Sequence, residues 1–415
     1  MLMNVFITLA VVLVAYWWAG QGFFSAILHA FSVFIAATVA FAAWEFMSVW
    51  ALGKIDNPAL TDMAWGVSLI LVFTIVLQLL RPLTTRACPA NVNVSHTVNF
   101  LGGGAVGAVA GILTAGICFI GVQFIQGPTE LLGYSGWTIT RTGEYEREQA
   151  LWVPVDQLTA GYFTLASEGP LWVPNPISEH HPELALQASL YRHSFDEGKS
   201  RMGIKPEEFS IDWVKRGEPD ATPAVLEEVG SSVINKERHT RANQGDLYHI
   251  RALFNAGAWD AGNKLHITRQ QVRLVVRTPE GDYVGLHPHA FIEPVSQDTT
   301  TEGRWVWEDT GIPATSVGTP ERAGITFEFI VPPGSTLQHL KVRQARKDLP
   351  ALDAETVSAG EITTLRNAGE GQGIPAPPGA AITTARAWQG YLMSFVLVLF
   401  AMFSNLMPAK RGHQD

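Results

Sequence analysis

The chain is short of the groups from which most reaction centres are built. Its 415 residues include two cysteines, Cys88 and Cys118. Both lie outside the long polar stretch, so that stretch carries no internal disulfide and no paired-cysteine redox or zinc motif. Neither a His-Glu-x-x-His zinc helix nor a phosphate-cradling glycine loop with its lysine is present. Charge is scarce too: 16% of residues are Asp, Glu, Lys or Arg, against 47% hydrophobic, a balance that does not suit an ordinary soluble enzyme.

What charge there is lies unevenly. Residues 1–127 set Glu45, Asp56 and Asp62 against Lys54, Arg81 and Arg86 and are neutral. Residues 128–385 hold 34 acidic and 23 basic side chains, a net of −11. An acidic region repels phosphate backbones, so nucleic acid is excluded as a partner.

The apolar excess is concentrated in runs long enough to cross a bilayer, which takes about 20 residues. Five are expected: Val5 to Ala19, Phe23 to about Trp50, Met63 to Leu80, Val98 to Ile125, and Ala387 to Met407. Gly20 and Gly22 break the first from the second, Arg81-Pro82 stops the third, Gly127-Pro128 the fourth and Pro408 the fifth. The first run resembles the apolar part of a signal peptide but lacks a basic start, so it is read as retained. Short loops rich in Lys and Arg face the cytoplasm. Arg81, Arg86, Lys410 and Arg411 then fall on that side, and residues 128–385 on the other. Trp44, Trp50, Trp65 and Trp388 are expected as anchors near the outer interface, with Glu45 facing water there.

Within the fourth run Gly103, Gly107 and Gly111 recur every four residues. That spacing makes a smooth stripe on which a second helix can pack backbone to backbone. The second helix can come from the same chain or from another copy, and a pore-lining surface is the third reading. His29 is the one ionisable side chain deep in a span, and either a hydrogen-bonded neutral ring or a relay group. Gln78, Gln123 and Gln126 lie near span ends, so no continuous polar path crosses the bilayer.

Four closely spaced spans, the Gly20-Gln21-Gly22-Phe23 break and a glycine-rich span introduced by Asn99-Phe100-Leu101-Gly102 resemble the colicin V production protein (CvpA) family of bacterial inner-membrane proteins. The likeness covers about residues 3–127. This chain departs from the family pattern at Asn4, Gln21 and Ser25-Ala26, where charged residues are usual. The resemblance implies an inner-membrane envelope protein connected with export of a peptide toxin, without an established chemistry. Some relatives join the same spans to an extracytoplasmic serine protease.

The polar region carries strand signals. Tyr248, Ile250, Ala252 and Phe254 alternate with polar neighbours, as do Val272, Leu274 and Val276, then Ile325, Phe327, Phe329 and Val331. Short helices are expected over Asp156 to Leu165 and Pro182 to His193. The expected architecture is an integral-membrane α-helical bundle, four N-terminal spans plus one C-terminal span, with a large α+β, mainly β, extramembrane domain ending in an immunoglobulin-like antiparallel sandwich. Its parts are a membrane domain (1–127), a mixed region (128–240), a β-rich region (241–365), a Gly/Pro linker (366–385), the last span (386–407) and a cytoplasmic tail (408–415).

A protease triad needs a serine in a strained turn beside a histidine and a carboxylate. The Gly133-Tyr134-Ser135-Gly136 string has no flanking strand or helix pattern, so no catalytic residue is assigned. Of His180-His181, His193 and His287-Pro288-His289, only the last pair shares a strand face, where Glu293 could complete a metal set. An exposed pair on a strand is more often solvated, and neither a metal nor a cofactor is expected. The sequence therefore points to a non-enzymatic scaffold or binding protein of the envelope. Its expected partners are the lipid bilayer, an envelope protein or wall polymer, and a second copy through the glycine stripe. The alternative is a component of a small-solute or peptide export system.

Overall fold

The computed structural model describes residues 2–55, 57–88, 95–125, 127, 130–139, 145–169, 176–193, 201–217, 245–259, 265–294, 302–306, 314–316, 323–353 and 384–406. Among the described residues, five helices are long and apolar enough to cross a membrane. They are α1 (Leu2–Gln21), α2 (Phe23–Lys54), α4 (Ala64–Ala87), α5 (His96–Gln123) and α9 (Thr384–Leu406), with a single turn, α3 (Pro58–Thr61), between α2 and α4. Helices satisfy their own backbone groups, as lipid requires. Gly22, at φ 90°, makes the break between α1 and α2, and Asn99 Oδ1 accepts from the Phe23 amide at 3.2 Å to hold it. The third span does not stop at Arg81-Pro82: α4 runs on to Ala87, its last turn held by Thr84 and Thr85 hydroxyls on the Arg81 carbonyl.

The glycine stripe of α5 is filled by α1. A Cβ on Gly103 would stand 2.7 Å from the Trp18 carbonyl oxygen, one on Gly107 2.8 Å from Trp18 Cβ, and one on Gly111 3.2 Å from the Val11 carbonyl oxygen. The stripe's face is thus occupied within the chain and is not available to a second copy. Gly107→Leu is expected to push α1 outward and cost about 1–2 kcal/mol, read as a lower melting temperature in detergent. Gly161→Ala, where a Cβ meets nothing within 4 Å, should leave it unchanged or slightly higher.

A polar lock ties α9 to the other spans. Asn405 Oδ1 faces His29 Nε2 at 3.0 Å and accepts from the Thr114 hydroxyl at 3.2 Å. Trp18 Nε1 donates to the Asn405 carbonyl at 3.2 Å, and Gln78 Nε2 to the Ser404 hydroxyl at 3.0 Å. Arg81 donates to the Ser404 and Asn405 carbonyls, capping the end of α9. At the opposite end of the bundle the Met3 amide donates to the Leu132 carbonyl, and Asn4 bonds Ala150 and Trp152. The two ends therefore differ: one carries Arg81 and the end of α9, the other the start of α1 and the polar region.

That region begins with a small hairpin of β1 (Trp137–Ile139) and β2 (Tyr145–Arg147), followed by α6 (Val155–Glu168), α7 (Ile177–His180) and α8 (Leu184–His193). The strands β3 (Phe209–Arg216), β4 (Asp246–Phe254), β6 (Val272–Arg277), β7 (Tyr283–Leu286), β8 (Ala290–Pro294), β9 (Glu302–Val306), β11 (Ala323–Val331), β12 (Thr336–Val342) and β13 (Ala345–Asp348) form two antiparallel sheets, ordered β3-β4-β11-β8-β9 and β13-β12-β6-β7. The short β5 (Leu265–Ile267) and β10 (Ala314–Ser316) pair with each other. Ile250, Phe254, Phe327 and Phe329 of the first sheet share one buried core with Val272, Leu274, Leu340 and Val342 of the second.

Alternation gives each strand a second face. On β12 and β6 that face carries His339, Lys341 and Arg273, and these are buried as well. The four-stranded sheet is covered on its outer side by α7, α8 and the end of α2, and this places the site described next.

Candidate site at the junction of bundle and sheet

Glu45, on the last turns of α2, meets two elements at once. Its Oε2 accepts from His180 Nδ1 at 3.1 Å, and its Oε1 pairs with Arg346 Nε of β13 at 3.1 Å. Arg346 Nη1 lies 2.7 Å from His180 Nε2. The same Nη1 lies 2.8 Å from His180 Nδ1, so the guanidinium approaches the ring edge that carries both nitrogens. Charge and hydrogen bonds close a three-membered ring across the junction of α2, α7 and β13. Glu45 is thus tied into the junction instead of standing free in water, because the folded sheet brings a cation to it.

Lys341 is only 2% exposed. Its Nζ donates to the His180 carbonyl and lies 3.3 Å from His181 Nδ1. His181 stacks on Trp44 with ring centres 4.5 Å apart and meets Gln187 Oε1 at 3.2 Å, while Gln187 Nε2 donates to Gln344 at 2.8 Å. Arg273 is paired with Glu183 at 3.6 Å. Burial is the largest influence on Lys341 and pulls it down to about 7. The Glu45 carboxylate works against this, while Arg273 and Arg346 add to the lowering. Burial, reinforced by Lys341, also holds His181 well below its usual value and His339 at about 2, so both are neutral rings.

Beside this network is a cavity of about 550 Å³. One wall is apolar, with Phe41, Phe46 and Val49 of α2 facing Phe163 of α6, and the end is polar, with Glu45, His180 and Arg346. Lys341 lies behind that end and does not line the cavity.

The other sequence-derived positions are scattered. His29 is buried in the lock with Asn405 and stacked on Trp18 at 4.1 Å. Gly22 alone makes the helix break, because Gly20 lies inside α1, which continues to Gln21; Arg81 caps α9, and Arg86 is exposed in the last turn of α4. Lys410, Arg411 and Gln126, with the side chains of His193, Glu293 and Trp388, lie outside the described residues. Trp44 and Trp65 are not interfacial anchors. Each is 2% exposed, and Trp44 Nε1 donates to the Trp65 carbonyl at 2.8 Å, because the two rings fill the seam between α2 and α4. Trp50 is 54% exposed and can serve as one. Ser135 is buried in the loop whose Tyr134 packs edge-on against Phe119. His287 is half-buried, with Nδ1 facing the Arg269 and Val272 carbonyls, and is held at about 3 by desolvation first and then by Arg273 and Arg269. Among the described residues, no group of three His, Cys, Asp or Glu side chains could hold a metal ion.

Sequence reading had named His180-His181 but missed Lys341, Arg346, Arg273 and His339. Their signal was present as the polar half of alternating strands, which normally denotes a solvated face. No protein-family model matches the chain, and neither a curated protein nor a solved structure does.

Proposed function

We propose that this is a multi-pass envelope protein of the CvpA-like kind, set in a bacterial inner membrane, which works without catalysis as a scaffold or binding protein. Residues 128–385 face the extracytoplasmic side and the C-terminus the cytoplasm. The β-rich region is the binding module. Its strand order supports an immunoglobulin-like reading: β3-β4-β11-β8 opposite β13-β12-β6-β7 corresponds to the A-B-E-D and G-F-C-C′ arrangement of such sandwiches, with β9 added at one edge. Fold alone does not assign a ligand. The observation that carries the scaffold reading is the junction: the Glu45, His180 and Arg346 ring fixes one sheet rigidly to the bundle. A module held in this way presents its remaining surface at a set height above the membrane, to an envelope protein or a wall polymer.

The test is topology. Single cysteines at exposed Asp282, in the β6-β7 turn, and at Gly412 are introduced into a Cys88→Ala, Cys118→Ala chain and labelled with an impermeant maleimide in intact spheroplasts. Labelling at 282 with protection at 412 is the expected result, and protection at 282 ends the envelope reading.

The export alternative would use His29 as a relay. Its ring is instead closed in by Trp18 and Asn405. His29→Ala should therefore lower bundle stability by about 1–2 kcal/mol, from a lost hydrogen bond and stacked ring, and leave solute flux in proteoliposomes unchanged. A flux that this substitution abolishes would overturn the scaffold reading.

A further inference from the structure

The α6 helix has an apolar face wider than the protein covers. Val155, Thr159, Phe163 and Ala166 are buried, and flanking them on the same broad face Leu158 is 49%, Tyr162 44% and Leu165 70% exposed, while Gln157, Thr164 and Glu168 lie on the opposite side. The exposed side is continuous in character with the apolar outer faces of the spans, where Phe31, Val39 and Phe46 are also exposed. A helix whose apolar face is only partly covered by protein is stable where the remainder meets lipid.

Depth along α2 agrees. Phe163 stacks on Phe34 with ring centres 5.9 Å apart. Phe34 is eleven residues past Phe23, and Glu45 is eleven residues past Phe34. At 1.5 Å per residue these steps are about 16 Å each, which together match the ~30 Å hydrocarbon layer. Phe34 and Phe163 thus sit near mid-depth and Glu45 at the boundary. The cavity between α2 and α6 follows α2 from Thr38 to Val49, with Phe41 and Phe163 toward the interior and Glu45, His180 and Arg346 at headgroup level.

The charged end is two-signed. Glu45 and Arg346 side chains remain 27% and 28% exposed. Arg346 uses Nε and Nη1, and its Nη2 has no partner among the described residues. An anion finds that donor edge, and a cation finds the Glu45 lone pairs left over by Arg346 and His180. A purely anionic headgroup would be set against the Glu45 carboxylate. The volume takes a headgroup and the start of its chains, not a whole lipid.

We propose that this cavity is a lateral binding site for one zwitterionic phospholipid of the surrounding leaflet, with its phosphate on Arg346, its ammonium on Glu45 and its chains leaving between Phe46 and Phe163 into the bilayer. This does not depend on the scaffold reading. The full-length protein is reconstituted in equal amounts of phosphatidylethanolamine and phosphatidylglycerol, exchanged into mild detergent, and its bound lipid counted by native mass spectrometry. One phosphatidylethanolamine per chain is expected, at least tenfold over phosphatidylglycerol. Val49→Trp, which fills the cavity and leaves every charge in place, should reduce retention at least tenfold at an unchanged melting temperature. Ala42→Phe on the same wall replaces it should the tryptophan lower that temperature. Equal retention of both lipids, a preference for phosphatidylglycerol, or unchanged retention in both filled-cavity variants would overturn the proposal.

Discussion

Replacing Lys341 with methionine is expected to stabilise the protein at pH 6 and to remove a rise of stability with pH that is expected of the native chain above neutrality. In the unfolded chain the lysine holds its proton to about pH 10.5, whereas in the folded protein burial releases it near 7. Between these values the unfolded state binds the extra proton, so stability rises with pH from about 7 to 10.5 and sits at its lower level below 7. The groups that set this balance are Glu45 from α2, His180 and His181 at α7, Glu183 before α8, Arg273 from β6, His339 beside Lys341 on β12 and Arg346 from β13. The full penalty for the charge is on the order of 5 kcal/mol. Methionine leaves the His180 carbonyl without its donor, which offsets about 1–3 kcal/mol. A net gain on the order of 2 kcal/mol at pH 6 should vanish or reverse at pH 10, as read by thermal unfolding in detergent at both values. An identical slope in the two proteins would show that Lys341 is not the titrating group.

The opposite substitution at the same junction should do the largest damage. Glu45→Leu leaves His180 Nδ1 and Arg346 Nε without their acceptor and removes the carboxylate that supports the Lys341 charge. Breaking a buried ion pair costs about 3–5 kcal/mol, and the partial exposure of Glu45 brings the expectation to about 2–3 kcal/mol. Part of that loss is relieved near neutral pH, because a lysine without its carboxylate gives up its proton more readily. The deficit should therefore be larger at pH 6 than at pH 8. In the Glu45→Leu, Lys341→Met double variant the costs should not add, since each residue's charge sets the other's. Hydrogen exchange adds a spatial readout: protection in β12 and β13 should fall while α4 and α5 keep theirs.

Particular residues show why some of this was legible. The five long apolar helices were readable because lipid imposes a single-helix rule on any apolar run of sufficient length, although α4 carries Arg81-Pro82 within it and continues to Ala87. The strands of the sandwich were readable because Ile250, Phe327 and Leu274 alternate with polar neighbours. Lys341 follows the same pattern beside Leu340 and Val342, and by that pattern it belongs in water. The covering of its face by α7 and α8 depends on contacts between segments more than a hundred residues apart, which no local period reports. His180 was visible as half of an adjacent pair, but its role came from Glu45 on one side and Arg346 on the other.

The sequence by itself determined five apolar helices, an acidic region rich in antiparallel strands and a glycine stripe that demanded a close neighbour, because backbone satisfaction in lipid and side-chain periodicity act locally. Only the tertiary structure decided that α1 is that neighbour, that Trp44 and Trp65 fill a seam, that α6 lies against the spans, and that a buried lysine stands behind a carboxylate from the bundle. Those outcomes depend on which faces meet, and the free energy of burying a charge or a ring is set by the partner that arrives from elsewhere in the chain.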